Sequence, residues 1–354
     1  MAAFVRATGD AKTPIQWSNQ IFRNSLKAIE TSAMLGAQGS GKAVVVDTRL
    51  KAKPGDTIRY PFIPYTQVNP LVGQDTTILG NERSLADYSV DLVVDEINFP
   101  YRKRGKMTDQ RILFSARDEM HRQIEQNCAQ YNDDQIFRIL SGYSGPTDTA
   151  VGTDRVNGAG RCAICTGTSG ASVVTEANSD TTAIDGAGST TDKMNVKAIE
   201  DALIIARQTG TYKVTPMSLG KDNVPVYILY VSLKAARDLR RDPEWQNHAL
   251  ELISLGLPHD LLGMGTLGVW NNVIVKSSER VLEVTTAGTD YYARNLLVGA
   301  DAMCLGWAQT TQVTEELIDH DRELSVNGSE IRGETKLAFN GVDLGVLQLI
   351  SASN

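Results

Sequence analysis

The residues with the strongest chemical signature are the seven at 36–42 (GAQGSGK). A phosphate-binding loop uses such glycines to bring backbone amides against phosphates, and its lysine reaches the outer ones. Ala43, however, takes the place of the Ser or Thr that would hold magnesium. The flanks are also inverted: helical periodicity precedes the segment and a strand-like run at 43–46 follows it, whereas a phosphate loop needs the reverse. The stretch reads as a flexible Gly-rich hinge. Cys162 and Cys165 have the spacing of half a zinc site or of a redox pair. No second such pair or nearby histidine completes a tetrahedral set, and no βαβ pattern surrounds them, so two free thiols in a loop are expected.

The four histidines, His121, His248, His259 and His320, fall on separate elements. His320 lies in 315–321 (EELIDHD), which carries oxygens suited to a cation but reads as an acidic, solvated strand or turn. No Ser, His or Asp sits in a nucleophile elbow or comparable motif, so no catalytic residue, cofactor or metal is assigned and no enzymatic activity is expected. The one dense basic cluster is 101–106 (YRKRGK). It suits ionic contact with an acidic strip on a neighbouring subunit; a solvated face and a nucleic-acid contact are the other readings. Trp17, Trp245, Trp270 and Trp307 are dispersed, as core or interface anchors are.

These residues hang on a frame dominated by one long helix. In 108–141, Leu113, Ala116, Met120, Ile124, Cys128 and Tyr131 recur at steps of three or four, which places them on one helical face. Thr108 is the expected N-cap and Ser141-Gly142 the stop. Ahead of it, 57–65 and 86–97 read as two strands around a turn-rich tip at 67–83, with Pro61 and Pro64 confining the outgoing strand to an edge. An isolated ribbon is marginally stable in water, so this one should find its partner surface on another chain. Residues 17–35 read as a short helix of an arm that lies on another surface. Residues 142–192 are loop-like and could hold only short strands that the pattern does not place. Then follow a helix from Val196 to Gly210, a buried strand at 224–231, a helix capped by Ser232, a helical stretch at 250–262 and a strand at 272–276. The remainder, 292–354, is strand-like and belongs in a sheet beside the long helix.

Composition narrows the function classes. The 354 residues suffice for two lobes, and 42% apolar with 22% charged residues is ordinary for a globular chain. A net charge of −7 and a pI near 5.3 argue against a protein built to grip nucleic acid. No signal peptide or membrane span is visible, which suggests synthesis and use in a cytoplasm.

An N-arm, a long two-stranded loop, a very long helix, an α+β lobe and returning strands, in that order, resemble the Hong Kong 97-type major capsid protein of tailed bacteriophages. The stretches 53–58 (KPGDTI), 71–75 (LVGQD) with 79–82 (LGNE), 105–108 (GKMT), 231–239 (VSLKAARDL) with 242–245 (DPEW), and 265–269 (GTLGV) are similar to the branch found in certain short-tailed phages. Loop 142–192 is longer and more polar than that pattern requires. The resemblance implies an α+β fold with an N-terminal arm (1–50), an extended β-hairpin loop (51–107), a peripheral domain with the spine helix (108–195 and 300–354) and an axial domain (196–299). It implies a structural protein that self-assembles as hexamers and pentamers into an icosahedral shell enclosing double-stranded DNA, made in the bacterial host cytoplasm and ending in the virion. The implied partners are other copies of the chain, a portal, decoration proteins, and DNA held without sequence-specific contacts; no membrane is implied. No long helical region precedes the arm, so scaffolding is expected from a separate protein or a removed precursor piece. Inter-subunit contacts are expected at Asp75, Asn81, Glu82 and Arg83 of the loop, at Arg102, Lys103, Arg104 and Lys106, and at Trp17 of the arm. An encapsulin-like shell around an enzyme cargo shares the fold and is the alternative, with a nucleotide-binding enzyme built on 36–42 a third reading.

Some relatives weld their shells by joining a loop lysine to a neighbour's asparagine, yet residues 54–102 contain no lysine. No covalent cross-link should form from this loop. Mature shells boiled on a denaturing gel should give a single band near 38.5 kDa, and a ladder of multiples would contradict this.

Overall fold

The computed structural model describes residues 30–37, 39–51, 55–62, 87–105, 107, 115–141, 161–166, 170–174, 192–208, 213–219, 224–247, 266–285, 291–320, 322–339 and 342–352. The chain begins with a 3-10 turn (Glu30–Met34) and the strands β1 (Leu35–Ala37), β2 (Val44–Asp47), β3 (Thr57–Phe62), β4 (Tyr88–Val93) and β5 (Asp95–Lys103). The spine helix (Ala116–Leu140) follows, then β6 (Cys162–Cys165), β7 (Ala171–Val174), a second helix (Val196–Gln208), β8 (Met217–Leu219), β9 (Val224–Val231) and a third helix (Leu233–Arg241). The chain closes with β10 (Thr266–Trp270), β11 (Val273–Ser277), β12 (Glu283–Thr285), β13 (Tyr291–Val298), β14 (Met303–Ile318), β15 (Glu323–Lys336), β16 (Ala338–Phe339), β17 (Val342–Asp343) and β18 (Val346–Ala352).

Two sheets carry the architecture. One has the order β1-β2-β14-β15-β5, the other β10-β11-β9-β13-β18-β6-β7, with β8 and β12 as side branches on β9 and β13. In the second sheet β9 is a continuous apolar run whose last six residues are all buried, as expected of a strand covered on both faces. The second and third helices cover one face: Ala198, Ile199, Leu203, Ala235 and Leu239 pack with Tyr227, Leu229, Val273, Val275 and Leu347. The third helix starts where the sequence says, with the Ser232 hydroxyl accepting from Ala235 N at 3.2 Å. The other face, through Ile228, Tyr230, Ile274, Leu296 and Val346, meets the C-terminal half of the spine helix and residues Met303, Leu305 and Trp307 of the first sheet. Phe137 stands edge-on against the Tyr230 ring, 5.0 Å between centroids. The spine helix is thus a plug shared by both sheets.

Its N-terminal half lies on the first sheet, where Ile124 and Cys128 pack with Val313 and Val326, and Met120, Phe99 and Tyr101 flank them. The described helix begins at Ala116 behind Ser115, whose hydroxyl accepts from Asp118 N; the expected cap Thr108 lies outside the described residues. Burial departs from a single stripe. In the C-terminal half Asn132, Asp133 and Gln135 are buried with Ile136, Phe137, Ile139 and Leu140, because this half is enclosed on nearly all sides. Asp133 accepts from Thr31 N and Oγ1, at 3.3 and 2.8 Å, which ties the end of the arm to the helix.

Several expectations are corrected. Leu35 opens a strand rather than ending a helix, and Gly36, expected in the Gly-rich hinge, belongs to the same strand, since β1 pairs in parallel with β2. Residues 36–42 therefore leave β1 and lead, through a turn at 39–40, toward β2 at Val44, with Gly39 and Gly41 at positive φ, and the helix N-terminus that a phosphate loop requires does not follow them. Cys162 and Cys165 sit in β6, paired in parallel with β18, not in a loop. All four residues of β6 are buried, and burial pushes the Cys165 thiol up to about 12. The final strands divide between two sheets, β14 and β15 in the first and β13 and β18 in the second, and the spine helix packs against both. The second sheet thereby joins segments from both sides of the boundaries expected at 195 and 300. The helical stretch at 250–262 and the arm helix before residue 30 fall outside the described residues.

Beneath the spine helix, β14 and β15 bury charge. Arg332, 2% exposed, has Nε 3.6 Å from Glu330 Oε2 and 3.4 Å from Glu334 Oε1. Its guanidinium is stacked between the Tyr131 and Trp307 rings, 5.1 and 5.4 Å from their centroids. Burial pushes the Glu334 carboxyl above its ordinary value, Arg332 opposes that shift, and Glu330 adds to it. Removing one partner of such a group leaves uncompensated buried charge. Arg332→Ala should destabilise the chain by about 3–5 kcal/mol, read as a lowered urea midpoint; a loss under about 1 kcal/mol would show that charge does not hold this interface.

Candidate inter-subunit elements: the ribbon and the basic strand

The ribbon is the pair β3 and β4, in register from Thr57 opposite Val93 to Phe62 opposite Tyr88. Pro61, which lacks a donor, sits in β3 at the open edge, as its chemistry requires. Arg59 grips Asp91 across the pair with two hydrogen bonds, 2.7 and 2.9 Å, on the exposed face. At the base Val94 N donates to Asp56 O at 2.9 Å, and there the chain passes from β4 into β5, which pairs with β15 from Asp95 to Lys103. One run of chain therefore serves two sheets in succession.

The ribbon base rests on its own subunit, which corrects the expectation that it is stabilised only by a neighbour. Ile58, Tyr60 and Leu92 are 7%, 5% and 0% exposed and pack with Val45, Cys304, Leu337, Phe339 and Leu344. Burying Leu92 alone contributes about 1.5–3 kcal/mol. The floor beneath is one row across three strands, Asp47 of β2 opposite Gly306 of β14, opposite Gly333 of β15. At the Asp47 end a polar latch closes the row. The carboxylate accepts from Arg49 N and Nε, at 2.8 and 2.7 Å, and from the Tyr60 hydroxyl, while the Arg49 guanidinium lies 5.2 Å from the centre of the Tyr60 ring.

The basic strand is partly committed within the chain. Arg102 Nε donates to Glu323 Oε2 at 2.7 Å, so this guanidinium is held by a carboxylate of its own subunit. Lys103 is half-buried at the end of β5, Arg104 is exposed, and Gly105 turns the chain with φ 75°. Lys106, Trp17, Asp75, Asn81, Glu82 and Arg83 lie outside the described residues. Trp245 stacks on Trp270 at 6.3 Å, and Trp245 and Trp307 are buried, as core anchors. A feature that sequence reading passed over is His121: it is buried on the spine helix with Nε2 2.7 Å from Glu315 Oε1, and Arg117 also reaches Glu315, at 2.9 Å. Helical spacing from Arg117 places both on one face, but nothing local marks Glu315 as their partner. Asp319 and His320 form the turn of the β14–β15 hairpin at positive φ. Among the described residues no group of His, Cys, Asp and Glu is arranged to hold a metal ion, and no helix is long and apolar enough to cross a membrane.

The latch generates a pH dependence with a defined sign. Burial pushes the Asp47 carboxyl up, but the hydrogen bonds from Arg49 and Tyr60 outweigh it and hold the group below its ordinary value of 3.8. A depressed folded value stabilises the protein above 3.8, and that contribution fades as pH falls through the lower folded value. Asp47→Asn should therefore lower the urea midpoint at pH 6, and the gap to wild type should begin to narrow below about pH 4 and go on narrowing as pH falls further. A gap that stays constant down to pH 3 would contradict the ionised latch.

The comparisons with known proteins agree with this geometry. The family model for phage capsid protein matches residues 6–353. Among solved structures, the capsid of Ralstonia phage GP4 is similar with a TM-score of 0.73 at 20% identity, covering 91% of this chain and 90% of that one. The Cyanophage Pam1 capsid follows at 0.67 and 19%, covering 100% and 99%, and the capsid of Helicobacter pylori bacteriophage KHP30 at 0.66 and 15%, covering 90% and 89%. A comparison with curated proteins gives no match. The Hong Kong 97-type α+β fold inferred from the sequence agrees with these neighbours. With a ribbon, a spine helix and two sheets in the arrangement of tailed-phage capsids, and a family match over almost its whole length, this chain belongs to the phage capsid protein family and is a structural major capsid protein.

Proposed function

We propose that copies of this chain close as hexamers and pentamers into an icosahedral shell around double-stranded DNA, with the loop at 63–86 of each subunit laid over the next. The observation that carries this reading is the near-complete mutual coverage with the GP4 and Pam1 capsids, because chains matched over nearly all of both lengths share the fold of those shell subunits. In this reading 1–50 is the arm, 51–107 the overlapping loop, 108–195 with 300–354 the peripheral domain and 196–299 the axial domain; β18 and β6 stitch the last two together through the second sheet. The residues proposed to meet a neighbour are Asp75, Asn81, Glu82 and Arg83 on the loop, Lys103, Arg104 and Lys106 at its return, and Trp17 on the arm. Arg102 contributes through its ion pair, which holds the edge of the sheet in shape.

The net charge of −7 fits such a wall, since weak affinity for phosphate lets DNA slide during packaging. Scaffolding from a separate protein or a removed precursor piece, a portal, and assembly in the host cytoplasm complete the proposal. Material recovered from infected bacteria should sediment as closed shells and show five- and six-fold clusters in negative stain. A lone particle near 38.5 kDa would overturn it.

A further inference from the structure

We propose that Gly306 and Gly333 are positioning residues that set the direction in which the ribbon leaves the subunit, and through it the diameter of the shell. The second half of this inference rests on the assembly reading above; the first half stands on the subunit alone.

The two glycines are direct cross-strand partners in β14 and β15, and Gly306 also faces Asp47 of β2. Neither is among the described glycines with positive φ, so the backbone there is ordinary strand that any residue adopts. What the positions require is the absence of a side chain. A Cβ on Gly333 would stand 2.1 Å from Val93 O and 2.8 Å from Val93 C. A Cβ on Gly306 would stand 2.7 Å from Leu92 Cδ2 and 3.3 Å from Ile58 Cδ1. The ribbon therefore lies directly on the backbone of the sheet. Glycine inside a strand weakens pairing, so the bare row has a cost that the close approach offsets.

Three supports fix its attitude: the Tyr60 hydroxyl on Asp47, Leu92 over Gly306, and the Val93 carbonyl over Gly333. Supports in one row across three adjacent strands fix the tilt of the ribbon along that row, and the covalent exit through Val94 fixes the end next to Gly333. A methyl group on Gly333 has a carbonyl in its way and must lift it by about 1 Å. Over a strand spacing of about 4.8 Å that lift tilts the ribbon by roughly 10°, and the far end of its six paired residues, about 20 Å away, moves by roughly 4 Å. Contacts between subunits do not tolerate such a shift unchanged. The obstacle at Gly306 differs in kind, because the ends of Leu92 and Ile58 are side chains that can turn or be shortened.

That difference supplies the test. Wild type, Gly333→Ala, Gly306→Ala, and each glycine variant combined with Leu92→Ala are compared for helix content by circular dichroism, for hydrogen exchange of the ribbon-base amides in the subunit, and for shell diameter by electron microscopy. Both single glycine variants should keep wild-type helix content, exchange the ribbon-base amides about tenfold faster, and give shells of mixed diameter or open sheets. Leu92→Ala, also made alone as the reference because it removes part of the seat, should bring exchange and shell diameter in Gly306→Ala to the level of that reference and fail to do so for Gly333→Ala, whose nearest obstacle, the Val93 carbonyl, is backbone. Unchanged exchange and an unchanged diameter in Gly333→Ala would overturn the inference, as would equal rescue of both variants. If Gly333→Ala does not fold, Gly306→Ala and its rescue decide alone. Altered exchange in a protein whose wild type forms no shells would sink the assembly reading and leave the seat standing.

Discussion

The pairing of Met303–Ile318 with Glu323–Lys336 is the constraint on which the rest of the molecule depends, because both faces of this hairpin are occupied. One face receives the spine helix through Val313 and Val326, and the other receives the ribbon base through Cys304, Gly306 and Gly333. The period of two along a strand makes this possible, since neighbours in sequence point to opposite sides. It also makes the register unforgiving: a slip by one residue would turn Arg332 toward the ribbon and Gly333 toward the helix. Gly328, where a Cβ would come 2.6 Å from Ile124 Cγ2, is the counterpart on the helix side.

Two polar groups secure this sandwich in different ways. Arg332 lies in the dry interface between helix and sheet, where its aromatic neighbours and its two carboxylates must all be present for the charge to be tolerated. Asp47 lies at the rim of the ribbon seat and binds three donors from two residues, a geometry that favours its ionised form. The first specifies how the helix docks. The second specifies where the ribbon begins. Neither contributes as burial of methyl groups does, yet each removes alternative packings that apolar contact alone would permit.

Much of the frame was legible in the sequence where a signal is local. The Ser232 cap, the apolar run of β9 and the stripe of the second helix each depend on a few adjacent residues and came out within a residue or two. The misses have one physical cause, burial by distant segments. Cys162–Cys165 shows no alternation because both of its faces are covered, so it passed as loop. Glu330, Arg332 and Glu334 alternate in the manner of an exposed edge but face the spine helix. Leu35 continues a helical stripe into β1 because its parallel partner, β2, follows a turn that the pattern marks as a break. Gly306 and Gly333 carry no signal at all, since their role exists only once Leu92 lies above them. For the ribbon, strand character and Pro61 were readable, while its anchorage was not.

The chain order of that anchorage has a consequence in time. The ribbon strands end at Val93, but their seat is completed by residues of β14 and β15 and by Leu337, some 240 positions later. At about 5–20 residues per second, a ribosome takes roughly 12 to 50 s to supply the missing half. During that interval the apolar face of Ile58, Tyr60 and Leu92 lacks most of the floor it packs on. The ribbon base thus acquires its full floor only after nearly all of this sequence has been made, and a chain cut short before Leu337 lacks that floor.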